Sequence, residues 1–121
     1  MGYRKLQVYE RSYKAGVAIY RMTEEFPEEE KYGITSQIRR AGVSIPLNIA
    51  EGYGKKRSQE EFKRFLMMAM GSANEISVLI DFAKDLGYIK ETQYNKVKQE
   101  YEEIGKMLNV MIKTIENKSK N

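Results

Sequence analysis

The sequence contains no cysteine and no histidine, and among its 121 residues only two prolines, Pro27 and Pro46. Without cysteine there is no disulfide and no thiolate nucleophile. Without histidine there is no Ser-His relay, and the two absences together remove the usual zinc sites. A di-iron bundle built on Glu-x-x-His pairs lacks its histidines as well. Carboxylates, lysines, tyrosines and hydroxyls remain, but no arrangement of them points to chemistry, so a non-enzymatic protein without cofactor is expected. A long uninterrupted apolar run is also missing. The most apolar stretch, Leu66 to Ala83, contains Asn74, Glu75 and Asp81, which disfavours a membrane span. No apolar signal core follows Met1 to Lys5, so the expected location is the cytoplasm, with no membrane partner.

What is present is helix-forming. Hydrophobic residues make up 41% and charged residues 31%, the balance of a folded protein, and 121 residues accommodate one core rather than two. Glu, Lys, Gln and Arg dominate the polar set, all good helix formers. Four segments carry helical periodicity, at about 6–25, 34–53, 59–86 and 91–116. In the first, Tyr9, Tyr13, Gly16, Val17 and Tyr20 share a face, and Phe26-Pro27 marks the stop. In the second, Ile34, Ile38, Ala41, Ile45 and Ile49 form the seam, and Pro46 predicts a kink.

The third segment opens on Ser58-Gln59-Glu60-Glu61, a capping box, and continues through Phe62, Leu66, Ala69, Ala73, Ile76, Ile80 and Ala83 to a Gly87 cap. The fourth has Tyr94, Val97, Tyr101, Ile104, Leu108, Met111 and Ile115 alternating three and four apart. Nothing alternates with period two. The expected fold is therefore all-α, a single antiparallel up-down four-helix bundle spanning residues 1–121.

Two features exceed what one bundle needs. Phe65-Leu66-Met67-Met68-Ala69-Met70 is apolar around the whole helix, which predicts a second buried face and self-association through Phe65, Met67, Met68, Met70 and Gly71. Gly16, Gly42, Gly71 and Gly105 lie inside predicted helices, where each costs about 1 kcal/mol relative to alanine, so close helix approach is expected there. Asn48, Glu51, Ser72 and Glu75 adjoin the apolar seams and are read as a structural polar network.

Charge is uneven. Residues 34–66 carry seven basic and three acidic side chains, while 22–33 carry five acids and one lysine. With a pI near 9.2 this suits a polyanion, RNA or DNA, although a solvated basic surface is the competing reading of a net charge of only +4. The candidate contacts are Arg39, Arg40, Lys55, Lys56, Arg57, Lys63 and Arg64. Gly52-Tyr53-Gly54-Lys55-Lys56-Arg57-Ser58 is not a Walker A loop, since position 49 is Ile49 where that motif needs glycine. It is a basic turn feeding a helix N-terminus. Glu28-Glu29-Glu30 is a solvated acidic run, and no metal site is expected.

The string Gln37-Ile38-Arg39-Arg40, then Ser44-Ile45-Pro46 and Asn48-Ile49-Ala50-Glu51-Gly52, resembles a known family. So do Ser58, Glu61-Phe62, Arg64-Phe65-Leu66, Gly71-Ser72 and Leu86-Gly87-Tyr88. The likeness is to the four-helix-bundle proteins encoded in intervening sequences of bacterial 23S ribosomal RNA genes, and it covers nearly the whole chain. It implies a cytoplasmic bundle that assembles as a ring-like homopentamer and binds RNA. A related branch, the accessory proteins of diversity-generating retroelements, implies an alternative, a protein-interaction adaptor for a reverse transcriptase. Lys90 departs from the family pattern, which places serine or a similar cap before the last helix.

Overall fold

The structure is a computed structural model in which residues 2–119 are described. After a short 3-10 turn at Gly2–Lys5, four helices follow: α1 (Gln7–Thr23), α2 (Ile34–Gly54), α3 (Gln59–Asp85) and α4 (Glu91–Ser119). A second 3-10 turn, Glu28–Glu30, lies between α1 and α2. Strands are absent among the described residues. Packing is tightest between α2 and α3, followed by α3 with α4 and α1 with α2, while α1 and α4 meet least. Each helix therefore touches its neighbours around a square and none crosses the diagonal, which is the up-down bundle expected. The expected end of the last helix at 116 falls short by one turn's fraction, since α4 continues to Ser119.

The core follows the predicted seams of α2, α3 and α4. Ile38, Ile45, Ile49, Leu66, Ala69, Ile76, Ile80, Ile104 and Leu108 are fully enclosed. α3 is long and apolar enough to cross a bilayer by length and composition alone. Here its buried face supplies the central layer of the core.

The first helix corrects its prediction. Its buried face is Val8, Ser12, Ala15, Gly16, Ile19 and Thr23; of the predicted face Gly16 is buried and Tyr9 half-buried against the core, while Tyr13, Val17 and Tyr20 face outward. Both stripes have helical spacing, about 100° apart on the wheel. The aliphatic and small one packs inward because it lets the helix come close, and the tyrosines keep their hydroxyls solvated. Close approach is concentrated at one crossing. A Cβ on Gly16 would stand 3.1 Å from the carbonyl oxygen of Gly42. That carbonyl is the one Pro46 leaves without its helical N–H donor. The Gly16 Cα–H pointing along the same direction offers it a weak C–H···O contact instead. α2 runs through Pro46 without a break. By contrast, Gly71 has open space where its Cβ would be, and Gly105 only an ordinary contact with Met70, so the expectation of four packing glycines holds for two.

Helix ends are closed by specific groups. Ser58 Oγ accepts from the Glu61 N–H at 3.2 Å, the first half of the predicted capping box. The second half is not made, because Arg64 takes the Glu61 carboxylate with two bonds of 3.1 Å. α3 ends on Gly87, with φ of +80°, whose N–H donates to Lys84 O while Tyr88 N–H donates to Ala83 O. That is the left-handed cap expected there. At α4, the Gln93 side chain accepts from the Lys90 N–H at 3.0 Å, the reciprocal half of a capping box, and lysine at 90 cannot supply the other half. Glu30, from the turn before α2, accepts from the Tyr88 hydroxyl at 2.7 Å and from the N–H of Ile34, the first residue of α2, at 3.2 Å. These bonds hold its carboxyl below the usual range.

Candidate nucleic-acid and self-association surfaces

The up-down topology decides where charge collects. The starts of α1 and α3 and the ends of α2 and α4 share one end of the bundle. Lys55, Lys56 and Arg57 form the α2–α3 turn there, all exposed. The Gly2–Lys5 turn packs against α2 and brings Arg4 and Lys5 alongside. Hydrogen bonding to Lys56, and more weakly the charge of Lys5, pull the Tyr53 phenol below its ordinary pKa. Lys118, exposed near the end of α4, lies at this end too, where Lys63 reaches Glu116 at 3.5 Å. The opposite end carries Glu24, Glu25, Glu28, Glu29, Asp85 and Glu91, so the bundle is polarised along its axis. Arg4, Lys5 and Lys118 are distant in sequence from the basic turn. Only the chain's up-down course brings them to it.

The seven predicted contacts divide by their existing partners. Arg57 and Arg40 are exposed and make no hydrogen bond, ion pair or ring contact among the described residues. Lys55 pairs with Glu51 at 3.6 Å and Lys56 lies 3.9 Å over the Tyr53 ring, both loosely held at the surface. Lys63 ties α3 to α4 through Glu116, and Arg64 is engaged by Glu61 and stacks on Phe65. Arg39 is structural in large part: it donates to Thr23 Oγ1 at 2.8 Å and to Tyr20 O at 3.3 Å and stacks on the Tyr20 ring, fastening α2 to the end of α1.

The predicted polar network is half present. Asn48 donates to Ser44 O and Ser44 Oγ at 2.8 and 2.9 Å, and Ser72 Oγ lies 2.9 Å from Ser44 Oγ, bridging α2 to α3. Ser44, absent from the prediction, is its centre. Glu51 and Glu75 stay outside it. Both are exposed: Glu51 meets only Lys55, and Glu75 has no partner among the described residues. A single helical step separates a seam-adjacent position from an outward one, and spacing alone does not resolve it.

The predicted interface set also needs correction. Met67, Met68 and Gly71 are exposed as expected. Phe65 is buried within the chain against Gly52, and Met70 is half-buried against the core. These two fall on the flanks of α3 that face α2 and α4. Among the described residues no group of three or more carboxylates converges as metal ligands do.

The family described as 23S rRNA-intervening sequence protein matches residues 4–110. The chain belongs to that family. A solved structure with the same fold is a protein of unknown function from the S23 ribosomal protein family of Bacteroides thetaiotaomicron. It is 30% identical to this chain, covers 88% of it and is itself covered over 95% of its length, with a TM-score of 0.80. No curated protein matches the chain. The family match runs from the start of the basic end into α4, so it includes Arg4, Lys5, the Lys55–Arg57 turn and the outward face of α3, and leaves out the end of α4 with Lys118.

Proposed function

We propose that this member of the 23S rRNA-intervening sequence protein family is a non-enzymatic, cytoplasmic, self-associating bundle that binds RNA or DNA through its basic end. The supporting observation is the gathering of Lys55, Lys56 and Arg57 with Arg4 and Lys5 at one end of the bundle, opposite the end that carries Glu24, Glu25, Glu28 and Glu29. Flexible cations with weak or no internal partners can neutralise phosphates at little structural cost, and such contacts supply affinity without reading sequence. The N-terminus of α3 opens at the same end and adds its positive dipole. A net charge of +4 per chain is small, so copies presented together, five of them on the family resemblance, would bind by avidity what one copy holds weakly.

The test is fluorescence anisotropy of a labelled RNA hairpin at low salt. Lys55→Glu, Lys56→Glu and Arg57→Glu together are expected to weaken binding at least about tenfold. Glu28→Gln with Glu29→Gln at the far end should leave it unchanged. Equal affinity for the wild type and the triple variant refutes the basic end as the site. Lack of RNA and DNA binding by the wild type favours the adaptor reading, in which the exposed apolar surface serves a protein partner.

A further inference from the structure

The four helices do not close evenly around their square. α1 is drawn against α2 where Gly16 meets Gly42, and it packs against α4 far less closely. Arg11 on α1 and Glu100 on α4 bridge the gap with two bonds of 3.0 and 2.9 Å. Alongside that bridge the two helices leave a cavity of about 560 Å³.

Two helical stripes make its apolar lining. Ala15, Ala18 and Met22 come from α1, three and four residues apart, and Val97 and Tyr101 come from α4, four apart. Alanine at 15 and 18 leaves the space open on the α1 side. Tyr101 is only 4% exposed, and its hydroxyl is enclosed with no hydrogen-bond partner among the described residues. The cavity is thus bounded by a buried polar group whose bonding capacity is unused.

Charge around the cavity is uneven. Arg11, Lys14, Arg21 and Lys96 line it against Glu25 and Glu100. Arg11 is taken by Glu100, and Lys14 meets Glu10 at 3.1 Å. The side chains of Arg21 and Lys96, on opposite walls, make no hydrogen bond, ion pair or ring contact among the described residues. Glu25, the acid without a partner there, lies beyond the end of α1. A concave site of this size, mostly apolar with a few polar groups converging on it, has the usual form of a small-molecule site. Two free cations beside an apolar floor complement a ligand with one anionic head and an apolar body.

We propose that the α1/α4 cavity binds a small amphipathic carboxylate of the medium-chain fatty acid class. Its chain lies on Ala18, Met22, Val97 and Tyr101, and its head is held between Arg21 and Lys96. A neutral chain gains only the floor. A short anion gains only exposed cations, whose attraction water and salt screen. The acid is selected because it uses both. None of the lining residues belongs to the Lys55–Arg57 turn, so occupation of the cavity is separate from nucleic-acid binding.

Isothermal titration calorimetry on the full chain tests this, with octanoate as the probe, octanol as the chain without the charge and acetate as the charge without the chain. Octanoate is expected to bind once per chain, octanol at least about threefold more weakly, and acetate not at all. Ala18→Phe fills the cavity from an exposed position and should weaken octanoate binding at least about tenfold, with circular dichroism as the check on folding. Val97→Phe closes the same space from the α4 wall and is expected to act alike. Arg21→Gln with Lys96→Gln should bring octanoate down to the affinity of octanol and leave octanol unchanged.

A wild type that binds no octanoate overturns the site. Octanoate binding that neither Ala18→Phe nor Val97→Phe weakens places the acid elsewhere on the chain and overturns it as well. Equal affinity for octanoate and octanol, or no effect of the Arg21→Gln, Lys96→Gln pair, overturns the carboxylate as the ligand class. Acetate binding as tight as that of octanoate overturns the apolar floor.

Discussion

Gly52→Ala isolates how tightly the basic turn is anchored to the bundle. A Cβ at Gly52 would lie 2.8 Å from Phe65 Cβ, 3.1 Å from Phe62 Cδ1 and 3.3 Å from the Phe62 carbonyl oxygen. None of these is the free end of a flexible chain, so α2 and α3 must separate at the point where they enter the Lys55–Arg57 turn. Overpacking of this kind costs about 1–3 kcal/mol, and alanine recovers up to about 1 kcal/mol of helix propensity. The net expectation is a loss of about 1–2 kcal/mol, or a Tm lower by about 4–8 °C for a domain of this size. Gly54→Ala, two residues on, meets nothing within 4 Å and is the internal control, expected within about 0.5 kcal/mol of the wild type. Urea and thermal unfolding followed by far-ultraviolet circular dichroism, at one fixed protein concentration, measure both. A Gly52→Ala protein as stable as Gly54→Ala would refute the close α2–α3 contact.

Other substitutions probe the caps, the core and one ion pair. Ser58→Ala removes the oxygen that accepts from Glu61 N–H and should lower unfolding free energy by about 1 kcal/mol in a urea titration. Ile45→Ala empties a fully enclosed site and should cost about 2–5 kcal/mol, whereas Val110→Ala, at an exposed position, should cost under about 0.5 kcal/mol. The Tyr101 hydroxyl is buried with no hydrogen-bond partner among the described residues, so Tyr101→Phe should leave stability unchanged or raise it by up to about 1 kcal/mol. Asp81 is held below the usual carboxylate range, first by its bond to Lys98 and then by the Tyr94 hydroxyl, each at 2.7 Å. A depressed carboxyl stabilises the fold at pH values above its unfolded pKa, and the contribution disappears as pH falls through the folded value. Asp81→Asn should therefore lower stability at neutral pH by a small amount and flatten the acid limb of a stability–pH curve. Burial lowers the pKa of Lys98 and its bond to Asp81 raises it, so the same substitution should also move the alkaline limb to lower pH.

The core of α2, α3 and α4 was legible in the sequence because each of these helices has a single dominant apolar stripe, as with Ile38, Ala41, Ile45 and Ile49. α1 has two stripes, and the choice between them depends on how closely α2 can approach. That is set by Gly16 and Gly42 together, across a separation in sequence that periodicity does not register. The Gly87 cap was readable because local chemistry decides it. The Glu61 half of the capping box was not, because Arg64 one turn later competes for the same carboxylate. The basic turn could be read from Lys55, Lys56 and Arg57, but Arg4, Lys5 and Lys118 join it only once the helices fold up and down. Glu75 and Arg40 show the limit most plainly: beside a seam in sequence, both face outward in the fold, and their lack of partners becomes visible only in three dimensions.

The most direct test of nucleic-acid binding through the basic end is the salt dependence of affinity for an RNA hairpin. Each phosphate neutralised contributes a slope of about −0.9 for duplex or about −0.7 for single strands in log affinity against log salt. With three to five cations gathered at that end, the account predicts a slope of about −2 to −4 for the wild-type protein. The Lys55→Glu, Lys56→Glu, Arg57→Glu variant should show residual binding with a slope near zero. Salt-insensitive binding by the wild type, or a slope that the triple variant leaves unchanged, would contradict it.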